Sequence, residues 1–273
     1  MKTAFSTLGC PFYTVDEIIT LAVANGYKGV EIRAVCGTVN LWDLTDFTGK
    51  GLAETTRKFK DNGLSVACVG TSINFCTASE AHRAANLETS KAYIEITHEL
   101  GCWYIRTFGG PIPTTQGYLD SINWSREGYE QLCALADQAG ITPLLETHDD
   151  FSVAPRVLDI LNGVSACNLG VIWDILHSYR FGEPLKVTYE MLKDRIKHIH
   201  IKDSAEFSAA GFDLTLIGEG NVPVLECIDI LRQGGYDGFY SFEWEKLWHP
   251  EIQEPEVAIP HFAQFIRDSR FAI

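Results

Sequence analysis

At 273 residues, 46% hydrophobic and 21% charged, the chain has the make-up of a soluble globular protein, long enough to bury about three quarters of its unfolded surface without a disulfide or metal. With 36 Asp+Glu against 22 Lys+Arg the net charge is −14, and no run of Lys or Arg stands out, which argues against a nucleic-acid partner. No stretch approaches the ~20 apolar residues of a membrane span, and Met1–Leu8 lacks the apolar core of a secretion signal, so no membrane partner and a cytoplasmic location are expected.

Short apolar or β-branched runs mark eight predicted strands, at Thr3–Leu8, Gly29–Arg33, Leu64–Gly70, Cys102–Phe108, Thr142–Glu146, Asn168–Trp173, Ile196–Ile201 and Gly238–Glu243. Helical periodicity occupies most of the intervals, at Val15–Asn25, Leu52–Asn62, Glu80–Leu100, Arg126–Ala139, Val153–Leu161 and Val224–Gln233, with a last amphipathic segment at Glu256–Arg267. Gly26, Gly63, Gly101 and Gly140 stand where left-handed helix caps are needed. The segment Asp203–Gly220 reads as a long loop over the mouth of the fold. Strands alternating with helices predict one domain over 1–273, a closed (β/α)₈ TIM barrel. An open dinucleotide-binding sheet is the rival, but no G-x-G-x-x-G follows the first strand. Eight scattered cysteines without a C-x-x-C pair read as small buried hydrophobes in a reducing compartment.

In such a barrel the C-terminal strand ends carry the chemistry. Glu31 closes the second strand, Arg106 lies near the end of the fourth, and Glu146 closes the fifth. Asp174 follows the sixth, His200 lies near the end of the seventh, and Glu243 ends the eighth. Each has an ordinary explanation alone: Glu146 and Asp174 can cap helices, His200 can sit satisfied in the core, and Glu243 can pair with a nearby cation. Together, unpaired carboxylates buried in one mouth would repel at a cost of several kcal/mol, which a divalent cation removes. Three carboxylates and one imidazole make a hard, oxygen-rich site suited to Mn²⁺ first, and also to Mg²⁺, Co²⁺ or Zn²⁺.

The segments Gly26-Tyr27-Lys28-Gly29-Val30-Glu31-Ile32, Glu146-Thr147-His148, Trp173-Asp174-Ile175-Leu176-His177, His198-Ile199-His200-Ile201-Lys202-Asp203 and Gly235–Gly238 followed by Phe242-Glu243 carry a resemblance over nearly the whole chain. The sequence resembles the xylose isomerase-like TIM barrel superfamily of sugar and sugar phosphate isomerases and epimerases. The resemblance implies one divalent metal ion on Glu146, Asp174, His200 and Glu243, with Glu245 the rival for the last position. It further implies that His177 contacts substrate, and Lys202, Arg106, Glu31, His148 and Trp173 are expected around the same small-molecule carbohydrate. Glu146 and Glu243 would move the proton and Lys202, His177 or Arg106 would steady the enediolate charge.

Depending on where the proton returns, the product is an epimer or an isomer; loss of a β-hydroxyl would make the enzyme a lyase, or dehydratase, on a keto-sugar or keto-inositol. Glu206 stands where those epimerases often carry an arginine, and Ser152 where a second glutamate is common. Trp42, Phe108, Trp173, Trp244 and Trp248 offer aromatic faces, and Lys202, Lys246, Arg106 and Arg180 offer charge for a phosphate or carboxylate. The Phe108-Gly109-Gly110-Pro111 loop offers N–H groups to substrate. A non-catalytic sugar-binding barrel is a third reading. Metal-dependent endonucleases on this scaffold fit poorly, because Ser72, Asn74, Thr107 and Phe108 occupy the places where their additional histidines are needed. A homo-oligomer is compatible with the sequence, with Phe262–Ile273 as a candidate contact.

Overall fold

A computed structural model describes residues 1–166, 168–269 and 271. Cys167, Arg270, Ala272 and Ile273 lie outside it, and with them one of the expected buried cysteines and part of the expected C-terminal contact.

Eight parallel strands close into a barrel: β1 (Lys2–Ser6), β2 (Gly29–Ile32), β3 (Ser65–Gly70), β4 (Tyr104–Phe108), β5 (Thr142–Glu146), β6 (Gly170–Asp174), β7 (Ile196–Ile201) and, after an inserted hairpin of two strands, β10 (Phe239–Phe242). Strand β10 pairs with both β7 and β1, which completes the ring. Around it run α1 (Val15–Asn25), α2 (Gly49–Asp61), α3 (Glu80–Glu99), α4 (Tyr118–Asp137), α5 (Ala154–Leu161), α6 (Ile175–Arg180), α7 (Leu185–Leu192), α8 (Val224–Gln233) and α9 (Pro255–Asp268). The expected (β/α)₈ barrel is the fold. Helix α1 illustrates the local logic. Thr14 and Glu17 form a reciprocal capping box at its start, and Gly26 at φ 76° takes the left-handed cap at its end.

Side chains alternate along each strand, so residues two apart share a face. Cys68, Leu144 and Ile172 form a small apolar floor inside the barrel. Two residues beyond Leu144 and Ile172 come Glu146 and Asp174, which places their carboxylates above that floor. The intervening Trp173 faces the helices and joins the main core.

Two differences from the sequence expectations affect the mouth. Asp203–Gly220 is no structureless loop: β8 (Asp203–Ser208) and β9 (Gly211–Thr215) form an antiparallel hairpin. Its connecting residues Ala209 and Ala210 lack the Asn-Gly or Asp-Gly signature that betrays a tight hairpin, so the segment reads as irregular. Buried Asp203 anchors the base of this insertion by accepting backbone N–H bonds from Ser204, Gly218, Gly220 and Val222. A Cβ on Gly220 would run into the Asp203 carboxylate, which is why glycine stands there. Cysteine burial is also incomplete, since Cys36 is exposed.

Candidate metal centre

Glu146 from β5, Asp174 from β6, His200 from β7 and Glu243 just after β10 bring one ligand atom each within 4.8 Å of one another, all fully or almost fully buried. His200 Nδ1 stands 3.0 Å from Glu146 Oε1, 3.2 Å from Glu243 Oε2 and 3.8 Å from Asp174 Oδ2. Asp174 serves two purposes. Its Oδ1 caps α6 by accepting from the N–H groups of Leu176 and His177. Its Oδ2 turns into the cluster, at ion-pair distance from Lys202 (2.8 Å) but with no hydrogen-bond donor aimed at it. A buried carboxylate oxygen left this way, beside two more carboxylates and an imidazole nitrogen, is a donor set that fits a divalent cation.

Two cations hold the cluster together. Arg106 Nη1 reaches Glu146 (3.1 Å) and Glu243 (3.4 Å), while its Nη2 donates to the carbonyl of Thr71. Lys202 Nζ lies among Asp174, Glu243 (2.6 Å) and Glu245. Burial opposes ionisation of Glu146, Asp174 and Glu243. For Glu146 the Arg106 and His200 charges win and hold the carboxyl below its ordinary value. At Glu243, His200 and Lys202 do the same. Burial wins at Asp174, whose carboxyl is pushed up despite Lys202. Burial also works against the Lys202 ammonium, but Asp174, Glu243 and Glu245 outweigh it and keep it protonated.

The other side of His200 is closed. Its Nε2 faces Glu31 at 3.0 Å, and Glu31 also meets His198 Nε2 and accepts from Ser241 Oγ, both at 2.9 Å. Glu31 is completely buried on the far side of His200, enclosed by His198, His200 and Ser241 and away from the cavity walls where the sequence reading expected it. It lies behind the imidazole and accepts at Nε2, so that a cation in the cluster would take the Nδ1 position from the proton that the surrounding carboxylates hold there.

Through Glu243 the cluster borders a cavity of about 430 Å³ whose walls include Arg106, Phe108, His148, His177 and Lys202. His148 and His177 meet edge to face at 4.3 Å, and the hairpin's Phe212 flanks His177 at 5.4 Å. Burial, reinforced by His148 and Lys202, lowers the His177 pKa well below its usual value, so this ring is neutral. Trp173 is a second departure from expectation. It is fully buried on the helix side, its indole N–H bonded to Ser178 Oγ, because it alternates with the inward-facing Asp174. Among the other expected aromatics, Phe108 and Trp248 line the cavity, whereas Trp244 is buried against Phe242 and Trp42 packs on Tyr93. Arg180 lines the cavity too, but Lys246 is occupied by the carbonyls of Pro250 and Ile252. Gly109 makes room for the ring of Phe151. Cavity residues that the sequence does not single out as ligand contacts include Arg33, Ser72 and Phe212.

A family model described as the xylose isomerase-like TIM barrel matches residues 19–268. The chain belongs to this family. This xylose isomerase-like barrel is 26% identical over 271 residues to fructoselysine 3-epimerase of Shigella flexneri, covering 94% of each chain. It is also 26% identical over 256 residues to 3-dehydroshikimate dehydratase of Bacillus anthracis, covering 84% of each. Its fold matches that of the zinc-bound IOLI protein with a TM-score of 0.83, at 17% identity over 97% of both chains. Among the described residues no helix is long and apolar enough to cross a membrane.

Proposed function

We propose that this barrel is a divalent-metal-dependent isomerase or epimerase of a small sugar, sugar phosphate or keto-polyol. The observation that carries the reading is the convergence of Glu146, Asp174, His200 and Glu243 on one point beneath a cavity that Glu243 lines. Three oxygen donors and one nitrogen favour Mn²⁺, with Mg²⁺, Co²⁺ or Zn²⁺ as alternatives. When bound, the ion would polarise a hydroxyketone and acidify the C–H beside its carbonyl.

The chain's own groups supply the remainder. Glu146 and Glu243 reach the site from strands separated by β6 and β7; Arg106 touches both, its charge with that of His200 holds Glu146 low, and His200 and Lys202 hold Glu243 low. One carboxylate accepts the proton and the other returns it, to the opposite face for an epimer or to the neighbouring carbon for an isomer. Lys202 donates to the developing oxyanion, and the neutral His177 accepts from Lys202 at Nε2, 3.4 Å away, and orients it. Phe108, Phe212 and Trp248 wall the cavity with apolar faces that suit sugar C–H surfaces.

A lyase is the second reading, favoured by one observation. Lys202 is an ammonium held directly between Glu243 and Glu245, positioned to protonate a departing hydroxyl. The similarity to a dehydratase agrees with it. Incubating free ketoses, keto-inositols and their phosphates with the metal-loaded protein in deuterated water separates the two. Deuterium beside the carbonyl of a rearranged sugar supports the isomerase or epimerase, and loss of water supports the lyase. Rearranged product without deuterium would contradict proton transfer and point to a hydride shift.

A further inference from the structure

Arg33 lies two residues beyond Glu31 on the same inward-facing row and is only 4% exposed. Thr7 Oγ1 holds its backbone by accepting the Arg33 N–H at 2.8 Å. Its aliphatic stem crosses Gly70, where an added Cβ would stand 2.7 Å from Arg33 Cδ, so glycine there opens the path into the cavity. At the far end Nη2 donates to Ser72 Oγ at 2.7 Å. Nε and Nη1 are buried with no hydrogen-bond partner, and no carboxylate comes within ion-pair range among the described residues.

Arg106 is paired with two carboxylates and Lys202 with three. Arg180 has no carboxylate partner among the described residues and an unpartnered Nε, but its Nη1 donates to the carbonyls of Ser208 and Ala209, so Arg33 is the cavity cation with two nitrogens left over. Burial, with Arg106 adding to it, lowers the Arg33 pKa only to about 10, so the group is charged at neutral pH. A buried guanidinium without a counter-ion is costly unless an anion completes it. Arg33 lines the same cavity as Glu243 and Lys202, with its two unpartnered nitrogens covered just beneath that wall.

We propose that Arg33 and Ser72 form an oxyanion subsite in the barrel mouth, so that the substrate carries a carboxylate or phosphate group apart from its reacting hydroxyketone. That the anion belongs to a substrate rests on the function proposed above; the anion site itself does not. Guanidinium recognition of either group is strong and charge-assisted.

Calorimetric titration of the full metal-loaded chain with inorganic phosphate, and separately with acetate, tests the subsite. Metal content is measured on every sample, so a failed metal site is seen separately from a failed anion site. The expected result is saturable binding that Arg33→Met weakens at least tenfold at unchanged metal content, with Arg33→Lys intermediate. Tighter phosphate binding identifies a phosphorylated substrate, and tighter acetate binding a carboxylated one. Because Arg33→Met removes an unpaired charge, its thermal midpoint should stay level or rise. No anion binding by the native chain, or equal binding by Arg33→Met and Arg33→Lys, would overturn the proposal. If Arg33→Met fails to fold, Arg33→Lys alone decides.

Discussion

The two sides of the His200 ring present the same chemistry to opposite ends. Toward Nδ1 stand Glu146, Asp174 and Glu243, balanced by Arg106 and Lys202 and bordering a cavity through Glu243. Toward Nε2 stands Glu31 alone, bonded to His198 and Ser241 and sealed from any opening. Glu31 has its hydrogen-bonding demand met by neighbours whose positions are set by β7 and β10. The Nδ1 side keeps an unsatisfied Asp174 oxygen and carboxylates offset by the ammonium of Lys202 and the guanidinium of Arg106. The lesson is that burial alone does not distinguish a working carboxylate from a supporting one. What distinguishes them is whether a buried oxygen is left without a hydrogen-bond donor.

Variants on the two sides should therefore differ in kind. Glu243→Gln keeps shape and removes a proton carrier, so turnover should fall on the order of 10²- to 10⁴-fold with the fold intact by circular dichroism. Turnover within threefold of the native chain would assign proton transfer elsewhere. Glu31→Gln should act more gently and by another route. By loosening the tautomer and orientation of His200 it should weaken metal affinity by roughly 10- to 100-fold. With saturating metal much of the turnover should return, whereas Glu243→Gln should not be rescued. Equal behaviour of the two variants would erase the contrast drawn between the sides.

Much of this arrangement is legible in the amino-acid sequence. The strand-and-helix rhythm is written in β-branched runs and glycine caps, and the four converging residues sit at strand ends where barrel geometry must bring them together. The misplaced Trp173 and the overlooked Arg33 share one cause, neglect of the two-residue period within each strand. With Asp174 inward, Trp173 has to face the helices. With Glu31 and Glu243 inward, Arg33 and Glu245 belong to the same rows one step nearer the mouth. Glu31 is misplaced by depth: the sequence shows which face it takes but not how far below the opening it lies. The hairpin β8–β9 is hidden by a turn without glycine or asparagine at its tip, and Phe212 is hidden with it.

The central claim is that the Nδ1 side of His200 holds a cation. Elemental analysis of the protein prepared without chelator tests it directly, alongside Glu146→Ala and Asp174→Ala purified in the same way. The predicted result is about one divalent ion per native chain and a sharp loss in both variants while they remain folded, as expected for a site that needs its full ligand set. A native chain that takes up no divalent ion even when one is supplied, or variants that retain it in full, would contradict the claim.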